Sequence, residues 1–206
     1  MKYIIMCGGF VCKWRTPKHF YKYKGEYIVQ RTINLLKKSG IKKSDIFITT
    51  QPDCVDKYKV FGVEVIPHDS NKKPFVWLDA FYRIDEPVCY IFGDVVFSAK
   101  AIKTIVKTQT DDIEFFASAP PFAPNYPKDY AEPFAFKVVN YKRFWDCVER
   151  TKECNKYCLW YRRPPISWEL WQIIKGTIPN QIIYTNYTAI NDYTCDVDYP
   201  EEMKQW

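Results

Sequence analysis

The 206 residues are 47% apolar and 26% charged, with 16 Tyr, 14 Phe and 7 Trp against only 7 Gly, which is one domain's length and excludes collagen-like, low-complexity and wholly disordered chains. The 30 Lys and Arg exceed the 24 Asp and Glu by a net +6, a mild excess that suits an anionic ligand without demanding nucleic acid. The longest nearly apolar stretch, residues 87–97, is broken by Asp94 and falls far short of the roughly 20 residues a bilayer requires.

Along the chain, short apolar runs alternate with longer amphipathic ones, the pattern of an α/β sheet. Residues 2–7 read as a buried strand stopped by Gly8-Gly9, with too few apolar positions for a secretory signal, which needs roughly 7–15. Residues 27–38 put Ile28, Thr32, Leu35 and Leu36 on one helical face, closed by Gly40. Strands follow at 45–50 and 63–66, then a helix over 75–84 with Trp77, Ala80, Phe81 and Ile84 inward. The most apolar strand, 88–92 (VCYIF), runs into Gly93-Asp94, and a helix over 99–107 buries Ile102, Ile105 and Val106. Strands at 113–119 and 133–139 flank APPFAPNYPKDYAEP, whose prolines exclude a central strand or a helix and leave a long loop. Helices over 141–151 and 166–174, a strand near 181–184, and a closing helix over 199–206 opened by Pro200-Glu201-Glu202 complete the reading. No repeat or linker divides the sequence, so a single domain over 1–206 is expected, with a variable region at about 120–180.

Eight cysteines at irregular spacing fall below the density of a disulfide scaffold. Cys154 and Cys158 stand at helical spacing, but no second Cys/His pair neighbours them to complete a zinc site. The thiols read as reduced and mostly buried, as in a cytoplasmic protein.

Chemistry concentrates first in the loop after the first strand, CGGFVCKWRTPKHFYKYKGE, which carries Lys13, Arg15, Lys18, Lys22, Lys24 and His19 before its first acid, Glu26. A glycine pair after a buried strand lets the chain turn sharply and present amides to an anion, and the cations can neutralise a polyphosphate. Lying in this loop, Lys18 is expected to be exposed. Neither G-x-x-x-x-G-K-[ST] nor G-x-G-x-x-G occurs, so P-loop and dinucleotide-binding readings fail. Asp94 stands at the carboxyl end of a strand, where open α/β sheets bind ligands. Asp196-Val197-Asp198 supplies further carboxylates, and two carboxylates with phosphate oxygens suit Mg²⁺. Asp198 equally suits the cap of the closing helix. His19 and His68 are the only histidines, so histidine-based catalysis has little to draw on. In LWYRRPPISWELW, Trp168 and Trp171 fit a core helix, whereas Arg162 and Arg163 are candidates for an acceptor phosphate or carboxylate, or for an oligomer interface. Glu132, ending the proline-rich loop, is a candidate to accept hydrogen bonds from ligand hydroxyls.

The run Met6-Cys7-Gly8-Gly9-Phe10-Val11-Cys12-Lys13-Trp14, then Pro17-Lys18, then Gly25-Glu26-Tyr27-Ile28, resembles the opening of the sugar nucleotidyltransferases. Phe92-Gly93-Asp94-Val95 is similar to that family's metal-binding strand end, and Val197-Asp198-Tyr199-Pro200-Glu201-Glu202-Met203 to its closing element. The resemblance implies a Rossmann-like three-layer α/β/α sandwich with a mostly parallel mixed sheet, of the nucleotide-diphospho-sugar transferase type. It further implies a Mg²⁺-dependent nucleotidyltransferase that joins a nucleoside triphosphate to a sugar phosphate, or to a similar phosphorylated or acidic acceptor, and releases pyrophosphate. Carried over by residue, Cys7, Gly8, Gly9, Lys13, Lys18 and Asp94 would hold the nucleotide. Lys18, with Lys13 and Arg15, would stabilise charge at the α-phosphate. Asp94 and Asp198 would hold Mg²⁺, with Asp196 as the alternative ligand. Three features depart from the family pattern: Val11 in place of glycine, Lys13 in place of arginine, and a shortened stretch between Trp14 and Pro17 in which Arg15 stands. A lysine neutralises phosphate as a point charge without arginine's bidentate grip. Two alternatives share the fold: a GT-A-type glycosyltransferase using a nucleotide-sugar donor, which usually places D-x-D where this chain has Gly93-Asp94-Val95-Val96, and a catalytically weakened nucleotide-binding module, which the Val11 and Lys13 departures suit. The expected partners are a nucleoside triphosphate and a small acceptor, with no nucleic acid; a homo-oligomer is compatible.

Overall fold

The computed structural model describes residues 1–8, 16–70, 76–124, 126–156, 164–177, 182–199 and 201–202. Four parallel strands form the centre: β1 (Lys2–Met6) lies between β4 (Ile46–Thr50) and β6 (Val88–Phe92), and β5 (Glu64–Pro67) flanks β4. β2 (Lys22–Tyr23) and β3 (Glu26–Tyr27) make a separate hairpin. On the other side β9 (Glu132–Val138) runs antiparallel to both β6 and β8 (Ile113–Ser118), and β10 (Thr188–Ala189) joins β8 in parallel to close the order β10-β8-β9-β6-β1-β4-β5. Every residue of β4 and β6 is buried, as expected of parallel strands covered on both faces. The cover comes from paired helices, α1 (Ile28–Lys38) against α3 (Ala99–Lys107) and α4 (Tyr141–Lys156) against α5 (Ser167–Ile174), which gives the three-layer α/β/α arrangement.

Most elements form where the apolar pattern places them. Ile28, Thr32, Leu35 and Leu36 are buried on α1, which ends on Gly40 at φ +93°, with the Gly40 and Ile41 amides donating back to Lys37 O and Leu36 O. Aligned aromatic rows glue the second helical layer on: Phe115 stacks on Phe136 at 4.4 Å, and the rings of Trp168, Trp171 and Phe144 pack over them. Such pairs contribute about 0.5–1.5 kcal/mol each beyond their buried area.

Three expected elements differ. The helix expected over 75–84 is reduced, within the described residues, to one 3₁₀ turn, Trp77–Ala80. Its carbonyls are claimed by tertiary partners: Asp79 O by His68 Nε2 at 2.7 Å, Tyr82 O by Tyr90 Oη at 2.7 Å and Ile84 O by Trp145 Nε1 at 3.4 Å. No strand forms over 182–184, because this stretch drapes over α5: Trp171 Nε1 donates to Thr185 O, and Tyr184 and Tyr187 pack edge-on to Trp168. At the C-terminus, residues 201–202 make only a short turn among the described residues, with Glu202 N donating to Tyr199 O. No described helix is long and apolar enough to cross a membrane.

At the junction of β1 and β6 the two backbones approach closely. Gly93 N donates to Met6 O at 3.0 Å, and a Cβ on Gly93 would lie 2.5 Å from that carbonyl oxygen and 2.6 Å from Cys7 Sγ. Neither backbone can yield without displacing Asp94. Gly93→Ala is therefore expected to cost about 1–3 kcal/mol, read as a lowered thermal unfolding midpoint; an unchanged midpoint would show that the junction accommodates a methyl group.

Candidate active site

Because β1, β4, β5 and β6 run the same way, their carboxyl ends open on one edge of the sheet. There, a cavity of about 420 Å³ is lined by Gly8, Lys18, His19, Asp94, Asp196 and Asp198, with Trp77, Phe92 and Ile166 forming an apolar wall. Distant segments meet here through a short ladder. β7 (Val95–Val96) pairs antiparallel with β11 (Cys195–Asp196), and Val197 N donates to Asp94 O at 3.0 Å. Val197 is fully buried, so strand alternation turns its neighbours Asp196 and Asp198 to the other side, toward the cavity. The ladder is anchored by Ser98, whose hydroxyl caps α3 through Ala101 N and donates to Asp192 Oδ2, while Ser98 N donates to Thr194 Oγ1.

Lys18 is buried, contrary to the exposure expected of its loop, with only 6% of its surface accessible. The three-residue 3₁₀ turn Lys18–Phe20 folds it inward, where its ammonium pairs with Asp94 Oδ2. Burial disfavours the charge on Lys18, but Asp94, with Asp196 and Asp198 behind it, outweighs this and raises its pKa. Burial likewise opposes ionisation of Asp94, and the Lys18 ammonium nevertheless holds the carboxyl below the usual range. The pair is thus charged across neutral pH. His19, 2% exposed, holds Tyr58 Oη (on α2, Val55–Tyr58) through Nδ1 at 2.7 Å. Burial, opposed by Asp94 and assisted by Lys18, lowers its pKa to about 4, so it is neutral.

A second polar layer lies beneath the first. Glu132 starts β9, whose reversed direction brings its first residue to the same edge. It is 1% exposed, and its Oε2 accepts from Tyr126 Oη at 2.6 Å and Asp196 N at 3.3 Å. Glu132 therefore supports Asp196 from below, which leaves Oε2 committed rather than open to acceptor hydroxyls. Burial and the neighbouring Glu132 push Asp196 well above the ordinary carboxylate range, and burial lifts Glu132 as well. Asp198 accepts from Tyr130 Oη at 3.2 Å, and Glu202 Oε2 accepts from the Asp198 and Tyr199 amides. Glu202 thus holds the backbone of Asp198 in place, a role composition alone does not show.

Among the described residues no group of three or more acidic, His or Cys side chains is arranged to hold a metal ion by itself. The donor set nonetheless fits Mg²⁺, a hard cation that keeps waters and takes phosphate oxygens alongside one or two carboxylates. Asp94, whose side chain is 29% exposed toward the cavity, and Asp198 are the residues that would hold it.

Of the other residues singled out by sequence, Gly8 lines the cavity with its carbonyl held by Gln51 Nε2 at 2.7 Å and Ser70 Oγ at 3.2 Å. Cys7 is buried and its amide donates to Thr49 O, so it supports the loop from within the sheet rather than offering an amide to a nucleotide. His68 is engaged by Asp79 O and by the Tyr82 ring. Gly9, Lys13, Arg15, Cys158, Arg162 and Arg163 lie outside the described residues. Sequence reasoning missed Lys128, Tyr130 and Tyr58; a lysine and a tyrosine amid the prolines of a long loop were the available signal for the first two.

Solved structures share this three-layer α/β/α fold with its mostly parallel mixed sheet. The chain is similar to the inositol-1-phosphate CTP transferase of T. maritima (16% identity, TM-score 0.55, covering 98% of this chain and 90% of that one). It is similar to a 4-diphosphocytidyl-2C-methyl-D-erythritol synthase from Anaerococcus prevotii (11%, 0.56, 99% and 92%), and to a Bacillus anthracis protein assigned as a glucose-1-phosphate thymidylyltransferase (14%, 0.59, 99% and 92%). No protein-family profile and no curated protein sequence matches the chain.

Two expectations follow. Lys18→Ala leaves Asp94 facing no ammonium and should cost about 3 kcal/mol, the low end for one partner of a buried pair because Asp94 is partly solvated; chemical denaturation measures it, and a loss within error would show the pair is not structural. The unfolded chain protonates His19 at its ordinary 6.5 but the folded chain only near 4, so stability should decline by about 3 kcal/mol as pH falls through that window. With two histidines in the chain, NMR titration should show one imidazole that stays neutral above pH 5.

Proposed function

We propose that the protein is a nucleotidyltransferase that joins a nucleoside triphosphate to a small phosphorylated acceptor, a sugar or alcohol phosphate, and releases pyrophosphate. The observation that carries this reading is the meeting of Lys18, Asp94 and Asp198 around one cavity at the carboxyl edge of the sheet, within a fold shared by CTP- and thymidylyl-transferring neighbours. In such a reaction an acceptor phosphate oxygen attacks the α-phosphorus, a new P–O bond forms, and the α–β bridging bond breaks with its electron pair leaving on pyrophosphate. The acceptor oxygen is already anionic, so positioning and charge neutralisation matter more than a protein nucleophile.

The side chains divide this work. Lys18, permanently charged and desolvated, is placed to neutralise charge that develops around the α-phosphate, and Asp94 fixes its position until the nucleotide arrives. Neutral His19 adds bulk and hydrogen-bonding capacity to the cavity wall without a second formal charge. Mg²⁺, held by Asp94 and Asp198, would supply further neutralisation of the phosphates. Trp77, Phe92 and Ile166 exclude water from the reacting centre and offer an apolar face to the acceptor.

The test is a matrix of the four ribonucleoside triphosphates and thymidine triphosphate against sugar and alcohol phosphates with Mg²⁺, read by pyrophosphate release. Turnover is expected only with a matched pair, and Lys18→Ala should lower kcat by about 10²–10³-fold. Consumption of a nucleotide sugar without pyrophosphate would overturn the reading in favour of glycosyl transfer; triphosphate binding without any turnover would overturn it in favour of a binding module.

A further inference from the structure

Lys128 lies on the proline-rich loop between β8 and β9, yet its side chain is only 10% exposed. Its ammonium is surrounded by oxygen: Glu202 Oε1 at 2.5 Å, Tyr130 Oη at 2.9 Å, Asp196 Oδ1 at 3.6 Å and Glu132 Oε1 at 3.8 Å. The last two oxygens are buried and have no hydrogen-bond partner among the described residues, so they face the Lys128 charge without being closed off by it. With Lys128 in place these three acids carry an ammonium, and among the described residues no three acids stand as a group that could hold a metal ion.

From this ammonium two routes lead to Asp198. Through the side chain, Tyr130 Oη accepts from Lys128 and donates to Asp198 Oδ2 at 3.2 Å. Through the backbone, Glu202 binds Lys128 with one oxygen and the Asp198 amide with the other, at 2.7 Å. The position of the Asp198 carboxylate therefore depends on a residue that does not line the cavity.

We propose that Lys128 is a positioning residue for the divalent-cation site: it fills the nest of Glu132, Asp196 and Glu202 in place of a second ion and aims Asp198 at the cavity, so that one cation binds, between Asp94 and Asp198. This rests on the reading of those two aspartates as Mg²⁺ holders. Lys128 touches no reacting atom. It acts by subtracting ligands from one cluster and orienting one ligand of another.

The experiment counts bound ions with Mn²⁺ alone, by the loss of the free-ion EPR signal on titrating the full chain, and needs neither nucleotide nor turnover. One Mn²⁺ is expected for the natural protein and for Lys128→Arg, and two for Lys128→Met. Tyr130→Phe cuts the bridge to Asp198 at a residue 44% exposed, where folding is not at stake. It should keep one ion but bind it roughly tenfold more weakly, the usual scale for losing a residue that orients a metal ligand. A count of one in Lys128→Met with unaltered affinity, or two ions or none in the natural protein, overturns the role in closing the nest; unaltered affinity in Tyr130→Phe overturns the role in aiming Asp198, and decides the matter if Lys128→Met fails to fold. If the counts come out as stated while no triphosphate yields pyrophosphate, the nucleotidyltransferase reading fails and the role of Lys128 stands.

Discussion

A backbone hydrogen bond from Val197 N to Asp94 O fastens together two parts of the chain that are a hundred positions apart in sequence. It extends the two-residue pairing of β7 with β11, and that pairing is what carries the C-terminal acids to the end of the central strand. So short a ladder would not persist alone. It persists because Val95, Val96 and Val197 are wholly buried and because the Ser98 network holds the preceding residues. Apolar burial thus supplies the free energy with which three carboxylates are held close together against their mutual repulsion.

The same constraint explains how charge is arranged around the cavity. Each acid brought in is met by a specific device: Asp94 by the Lys18 ammonium, Asp196 by Glu132, which accepts from its amide, and by the Lys128 ammonium, Asp198 by the Tyr130 hydroxyl and the amide hydrogen bond to Glu202. These devices come from separate elements, the first loop, β9, the proline-rich loop and the C-terminal turn. Removing one would leave its acid as an uncompensated buried charge, which costs more than the interaction itself contributes.

How much of this was legible in the sequence depends on the range of the forces involved. Strands and helices built on local periodicity, such as 88–92, 99–107 and the helix closed by Gly40, follow from the pattern because burial and capping act within a few residues. The stretch 75–84 has helical spacing too, but its carbonyls are bid for by Tyr90, Trp145 and His68, which sequence proximity cannot reveal. Lys18, Asp94 and Asp198 were legible because strand ends and a family-like motif mark them. The burial of Lys18, the commitment of Glu132 to Tyr126 and Asp196, and the whole surroundings of Lys128 were not, since each is fixed by partners far along the chain.

The sheet also ends in a particular way on each side. One margin is β10, two residues long, and the other is β5, which closes on Pro67 and carries an exposed Glu64. Short, charged or proline-terminated margins give a neighbouring chain little to extend by strand addition. A protein with this many aromatic residues would otherwise be vulnerable to cross-β stacking, and its blunt borders direct any self-association toward helical or loop surfaces.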